Sequence, residues 1–429
     1  MTSVKNPIIR LLVLALPVLI MGCSTNTSAP VNQSDTTEIS SGAVPFPKVS
    51  EAVAITSGPN EHLFASYYGI NSFSQDQRYV TVLQTPIKYR LPEADDPATL
   101  GLVDLETNEF IPLAETRAWN FQQGCMAHWL GTHPNSRIIY NDFEDGKFVS
   151  IIMDVHTKEK IRTIPYPVAA VSPNGKEAVS INFSRLRTTR KAYGYAGDGQ
   201  DTRLSEQFPE DDGLIMVNLE TGEGKLLVSI NDVKDQVPEV PAEGIEYFNH
   251  VLFSREGGRI FWLARAIPER NTTSFTVDRD GQHLRRCFPD GWGGSHFDWL
   301  SEDDLMITAS YQAEGDAHIL FTVGQDNYKR LGNGLLDYDG HGTFSPDGQW
   351  MVTDTYPGNK GLREQKLYLM HMETEAVLPM GRYKHPTVFR DNGKDAACDL
   401  HPRWSPNGDM IGFNSVTTGD RQVYIIRLE

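Results

Sequence analysis

Four histidines of this chain occupy one position in a recurring phrase. His250, His296, His341 and His401 each stand three residues before the aromatic that opens the phrase, at Phe253, Trp299, Phe344 and Trp404. The intervals between them are 46, 45 and 60 residues, and they account for four of the twelve histidines. Side chains repeated in register converge if the units pack around an axis, and converging imidazoles can hold a divalent cation or move protons. The plainer reading is that each ring hydrogen-bonds the backbone of the next unit. Cys398, three residues before His401, adds a thiolate donor of the kind that zinc accepts beside imidazole. His296, His341, Cys398 and His401 are therefore the candidate metal set. Cys125-Met126-Ala127-His128 repeats the Cys-x-x-His spacing, but its histidine is out of register. It reads equally as a buried cysteine followed by an inner-strand histidine.

A second concentration of chemistry runs from Ser184 to Gly199. Arg185, Arg187, Arg190 and Lys191 are followed by Tyr193-Gly194-Tyr195, with Arg203 a little further on. In a chain of net charge −17 this is a local exception. The long interval from here to His250 predicts an extended loop over a channel mouth, where function concentrates on rigid scaffolds. Its arginines suit an acidic ligand, because a guanidinium pairs a carboxylate or sulfate through two parallel hydrogen bonds. A solvated basic loop is the other reading.

The elements that would position these groups follow from the repeat. The phrase is an apolar or aromatic residue, then serine, then a Pro/Asp/Asn/Gly turn, then a strand. It occurs as Phe73-Ser74, Val171-Ser172-Pro173-Asn174-Gly175, Phe253-Ser254, Phe344-Ser345-Pro346-Asp347-Gly348 and Trp404-Ser405-Pro406-Asn407-Gly408. Weaker copies begin at Trp129 and Trp299, making seven. A second phrase, Val103-Asp104-Leu105-Glu106-Thr107 and its copies at Asp154, Asn218 and His371, closes a later hairpin. The spacing matches a four-stranded antiparallel blade, and one blade cannot bury both of its faces alone. The prediction is an all-β, seven-bladed β-propeller spanning residues 46–429. The final strand, Gln422 to Leu428, is expected to pair with early residues and close the ring.

The chain ends and composition bound the setting. Lys5 and Arg10 precede an apolar run from Leu11 to Met21, which is too short to span a bilayer but suits a signal peptide. Ile20-Met21-Gly22-Cys23 resembles a bacterial lipobox, so residues 1–22 read as a lipoprotein signal, Cys23 as the lipidated residue and 23–45 as a disordered tether. Ser24 favours the outer membrane. Acidity argues against nucleic-acid binding. With Cys23 lipidated, Cys125, Cys287 and Cys398 remain, and an odd count in an exported protein suggests one disulfide plus one thiol. No G-x-S-x-G nucleophile elbow is present, which removes a serine-peptidase reading.

Several phrases together resemble the seven-bladed propeller polysaccharide lyases, oligogalacturonate lyases and ulvan lyases among them. They are Gln122-Gln123-Gly124-Cys125-Met126-Ala127-His128-Trp129, Asn249-His250-Val251-Leu252-Phe253-Ser254, Ser295-His296-Phe297-Asp298-Trp299, Asp339-Gly340-His341-Gly342-Thr343-Phe344-Ser345 and Cys398-Asp399-Leu400-His401-Pro402-Arg403-Trp404-Ser405. The resemblance covers nearly all of the chain after about Phe64. It implies β-elimination on a uronate polysaccharide, which yields 4,5-unsaturated ends. His128 and Tyr193 would be base and acid in either order, with His250 a further catalytic residue. Arg185, Arg187, Arg190, Arg203 and Tyr195 would bind substrate. One divalent metal, zinc ahead of manganese, would sit on His296, His341, Cys398 and His401. The resemblance implies an acidic polysaccharide as partner and a monomer anchored through its N-terminal lipid. Two departures bear on the substrate: the chain has Gly146-Lys147-Phe148 where ulvan-type enzymes carry a second histidine, and Cys398 where the oligogalacturonate type favours glutamine. The rival class is a non-catalytic, TolB-like propeller that binds a glycan or a protein.

Overall fold

The computed structural model describes residues 45–64, 67–197, 203–268, 271–288, 292–311, 315–357, 363–391 and 397–429. The signal segment, Cys23 and the tether up to residue 44 lie outside them. The described strands form seven four-stranded antiparallel sheets. Blades one to six span residues 61–116, 128–164, 168–229, 245–286, 292–330 and 343–384. Blade seven combines three C-terminal strands, Arg403–Trp404, Met410–Ser415 and Gln422–Arg427, with Val53–Ala54 as its outer strand. The ring closes as the sequence predicts: Val53 pairs with Ile425 and Ala54 with Tyr424.

Each recurring phrase proves to be the turn between the first two strands of a blade, and its serine is the reason it recurs. The hydroxyl of Ser345 accepts the Trp350 N–H at 2.9 Å and donates to Asp347 at 2.6 Å. Ser74, Ser172, Ser254, Ser301 and Ser405 make the same kind of contact. Each thus satisfies a turn N–H that no ladder bond reaches. The second phrase closes strands three and four through side-chain-to-backbone turns. Asp154 Oδ1 accepts from the N–H groups of His156 and Thr157, both at 3.0 Å, and Asn218 does the same for Glu220 and Thr221. Because strands alternate in direction, both phrases fall on one face of the ring, hereafter the base. Connections between second and third strands fall on the other face, the mouth.

Inside the ring, aromatic and aliphatic faces of neighbouring blades pack together. Trp262 lies over Phe275 in blade four and Phe261 meets Phe297 across the four–five interface, all fully buried. Two expectations are corrected. Cys125, Cys287 and Cys398 are all buried free thiols, so no pair of them forms a disulfide. They behave as small core residues in separate apolar surroundings. The basic segment, expected as an extended loop, begins as a short helix, Phe183–Thr189, whose N-cap Asn182 accepts the Arg185 N–H at 2.9 Å.

Candidate active site at the channel mouth

The register histidines reach the channel by a repeated backbone device. In blade four, Asn249 pairs with Leu263 and Leu252 with Phe261, so three steps on one strand face two on its partner. The extra residue is absorbed at His250, which adopts φ +56°. Such bulges re-aim side chains near functional sites, and a left-handed histidine is uncommon. His401, at φ +49°, occupies the same bulge in blade seven: Asn414 bonds Leu400, and Arg403 pairs with Gly412. In blade two the equivalent residue is Met126, at φ +52°. Counting back three from Trp129 already reaches Met126, and the structure agrees that His128 is out of register.

His296, His341 and His401 form one stack. Ring centroids are 4.3 Å apart between His296 and His341 and 4.2 Å between His341 and His401. Carboxylates hold two of the rings from behind: His296 Nδ1 lies 2.7 Å from Asp339, and His341 Nδ1 lies 2.9 and 3.1 Å from the two oxygens of Asp354. Asp354 also accepts the backbone N–H groups of His341 and His401 at 2.7 and 2.8 Å. With each Nδ1 donating to a carboxylate, each ring in its neutral form presents an Nε2 lone pair. Both face the hydroxyl of Tyr356, at 3.0 and 3.3 Å, which has one hydrogen to offer. His401 Nδ1 is buried and has no hydrogen-bond partner. Burial pulls the His341 pKa down, but the charge and hydrogen bond of Asp354 outweigh it and the net shift is upward. Burial lowers the pKa of His296 and carries that of His401 well below the ordinary value.

This donor set fits a divalent cation chemically: imidazoles oriented by carboxylates, and an orphaned buried nitrogen on His401. As the rings stand, no group of three His, Cys, Asp or Glu side chains among the described residues is arranged to hold an ion. Cys398 lies outside the stack. It is buried in an apolar cluster with Phe389 and Val416, its thiol contacts the Asp399 carbonyl, and burial pushes its pKa up to about 12.

His250 anchors the other half of the mouth. Its Nδ1 is hydrogen-bonded to the hydroxyl of Tyr67, and Arg265 Nη1 lies 3.4 Å from its Nε2. Arginine can only donate, so Nε2 is the acceptor and Nδ1 carries the hydrogen. The ring meets Tyr193 edge-on at 5.3 Å and Tyr68 at 5.2 Å. Burial, then the positive charges of Arg265 and the other neighbours, pushes the His250 pKa well below its ordinary value, so the ring is neutral. Arg190 lies over the face of Tyr193 at 5.1 Å, and Arg403 over Tyr68 at 5.8 Å. Gln123 hydrogen-bonds the Tyr67 hydroxyl, whose pKa burial raises well above the ordinary value. Tyr67 and Tyr68 owe their place to the first strand of blade one. Phe64 pairs with Val82 and Phe73 with Val80, so Tyr67 and Tyr68 lie in a stretch that no ladder pairing holds, opposite Thr81.

Other expected site residues have different jobs. His128 lines a recess at the base with Gly69, Phe73, Gly131 and Pro173. Its Nε2 is buried without a hydrogen-bond partner, and burial lowers its pKa to about 3. His128 thus lies at the base, and the histidine that meets Tyr193 is His250. Arg185 is 1% exposed, and its guanidinium donates to the carbonyls of Glu246, Arg203, Glu206 and Gln207 at 2.7–3.1 Å. Arg187 donates to the Lys191 and Pro92 carbonyls. Arg203 pairs with Asp211. Tyr195 is fully buried, stacked on Phe183 at 4.4 Å with its hydroxyl bonded to Asn141. These four hold the mouth segment together, leaving Arg190 and Tyr193 as its contribution to the site. Tyr67, Tyr68, Arg265 and Tyr356 were not picked out from sequence, since none belongs to the repeat, and Gln123 was noted only within the phrase that ends at Trp129. Asp339 and Arg403, each two residues from a register histidine, were within reach of the pattern.

No protein-family model matches the sequence, nor does any curated protein. Among solved structures, an oligogalacturonate lyase in complex with manganese superposes with a TM-score of 0.63 at 14% identity, covering 90% of this chain and 99% of that one. The oligogalacturonate lyase of Vibrio parahaemolyticus gives 0.61 at 13% identity, covering 89% and 98%. TolB from Acinetobacter baumannii gives 0.40 at 14% identity, over 72% and 65%. At these identities the likeness is one of fold.

Proposed function

We propose that this protein is a polysaccharide lyase that cleaves a uronate-containing polysaccharide, ulvan-like or oligogalacturonate, by β-elimination. The observation that carries the reading is the mouth itself: a neutral histidine, the hydroxyls of Tyr67 and Tyr193 and two guanidinium groups, Arg190 and Arg265, gathered in an acidic protein. The likeness in fold to two oligogalacturonate lyases supports it.

In the elimination, a base takes the proton from C5, the C–H electron pair becomes the C4=C5 double bond, and the C4–O bond breaks. The leaving oxygen then takes a proton. Making C5–H acidic is the demanding part, so charge held against the uronate carboxylate matters most. Arg190 and Arg265 supply that charge. His250 Nε2, released by Arg265 as the carboxylate takes its place, is the base. Tyr193 delivers the proton to the leaving oxygen, and Tyr67 holds His250 in the tautomer that keeps Nε2 open. His296, His341 and His401 would hold one divalent cation, zinc ahead of manganese by donor type. Such an ion would add positive charge where the carboxylate binds. The protein is further proposed to be an exported monomer, lipid-anchored through Cys23, with an acidic polysaccharide as its partner.

Metal-replete protein incubated with polygalacturonate, ulvan and other uronate polymers should produce ultraviolet-absorbing unsaturated ends. Binding without unsaturated product on every polymer would replace the lyase with a glycan-binding propeller.

A further inference from the structure

The face opposite the histidine mouth carries a cleft between blades two and three that the proposed chemistry does not use. Its floor is apolar, from Leu130, Ile152 and Leu219, with Ile161 40% exposed at the edge. Its walls are basic: Arg137, Arg162 and Lys176 line it with His133 and Arg279. Of these, Arg279 is neutralised by Glu177. Arg137, Arg162 and Lys176 make no ion pair or side-chain hydrogen bond among the described residues, and Arg137 Nε is buried without a partner. Glu220 is the remaining acidic group in the lining. With Arg279 set against Glu177, three cations face one carboxylate, and a net positive cleft runs against the −17 balance of the chain. A buried guanidinium nitrogen left unpaired costs free energy unless an acceptor reaches it. The cleft is at the base because it is walled by the two turn types placed there, Leu130 to Arg137 and Asn218 to Glu220.

We infer that this cleft is a second binding site for an acidic glycan chain, taking its carboxylate or sulfate groups on Arg137, Arg162 and Lys176. The choice of a glycan rests on the proposed function, since the enzyme and its remote site would then share one polyanion. The charge argument for an anion does not. Held at the base, a long polymer is kept near a mouth that acts on it elsewhere along its length, which raises its effective concentration there.

The test is affinity electrophoresis of the full chain in gels containing polygalacturonate, dextran sulfate or neutral dextran. Wild type should be retarded by the first two, in a salt-sensitive way, and pass freely through the third. Arg162→Glu with Lys176→Glu, both exposed and remote from the core, should weaken the apparent affinity about tenfold. Turnover of short uronate oligomers should be unchanged and turnover of long polymer should fall. Arg137→Gln gives a separate check at the half-buried position. Retardation of the double variant equal to that of wild type overturns the cleft assignment, whatever the enzyme does. Retardation lost in the variant while wild type makes no unsaturated product leaves the cleft standing and removes the lyase.

Discussion

Arg185 separates two accounts of the basic segment, and replacing it with methionine decides between them. Methionine keeps an unbranched apolar stem in the helix and deletes only the guanidinium. That group donates to Glu246 O at 2.8 Å, Arg203 O at 3.1 Å, Glu206 O at 2.7 Å and Gln207 O at 3.1 Å. Hydrogen bonds from a charged donor contribute about 1.5–3 kcal/mol each. If water reaches half of the abandoned carbonyls, the loss is about 3–6 kcal/mol. Domains of this kind are stable by roughly 5–15 kcal/mol, so the change should be plain in urea unfolding followed by tryptophan fluorescence. Because the same bonds tie the helix to the 203–207 stretch, Arg190 and Tyr193 should lose their placement too, lowering turnover. A substrate-binding Arg185 predicts the reverse pattern, a raised KM with an unaltered urea midpoint. That result would refute the structural role assigned here.

Tyr193→Phe keeps the ring under Arg190 and deletes the hydroxyl, so turnover should fall about 10²-fold or more with the melting temperature unchanged. His250→Ala should be at least as harmful, while exposed His156→Ala should be silent in the same ultraviolet assay. Buried Glu246 has its pKa raised to about 8 by burial, so the folded state keeps a proton that the unfolded chain has lost. Its contribution is present below the unfolded pKa and is lost as pH rises through about 8, at up to about 1.4 kcal/mol per unit. Glu246→Gln should flatten the fall in stability between mildly acidic and alkaline pH; an identical pH profile in variant and wild type would contradict the assignment. About one equivalent of divalent metal should copurify with wild type and be absent from His401→Ala, read by elemental analysis. Cys23→Ser should move the protein from the membrane fraction to the soluble one with its fold intact.

What could be read from sequence was whatever is local and repeated. Six serine turns and the backbone-closed turn after Trp129 locate seven blades because a few local hydrogen bonds are enough to build each turn. The register of His250, His296, His341 and His401 was legible for the same reason. The metal set failed at Cys398, where a three-residue spacing says nothing about which way a thiol points, and the thiol went to Phe389 and Val416. The basic segment misled because charge suggests solvent, whereas Arg185 finds four carbonyls and Tyr195 finds Asn141 in the interior. Tyr67 and Tyr68 sit beyond the first strand of blade one, between the Phe64 and Phe73 pairings, in a stretch that no repeat unit predicts. Asp354, which organises His341 and His401 from the second strand of blade six, is tied to them only by the folded ladder.

The way the ring shuts has a consequence for how the chain must fold. Val53–Ala54 is synthesised before any of the first six blades, yet its hydrogen-bonding partner, Gln422–Arg427, follows all of them. Near the same seam, Glu61 is buried against Arg421 and Lys88, two cations that are distant and near in sequence respectively. A buried carboxylate with only Lys88 beside it is poorly satisfied, so blade one is incomplete until Arg421 arrives. An early segment with open strand edges must therefore wait through the making of six blades before its partner exists. A circularly permuted chain that begins at Ser57 and carries residues 45–56 after Glu429 would shorten that wait to a hairpin. Its refolding should be faster than that of the natural order, by an amount that measures how much of the barrier is the search of one end for the other.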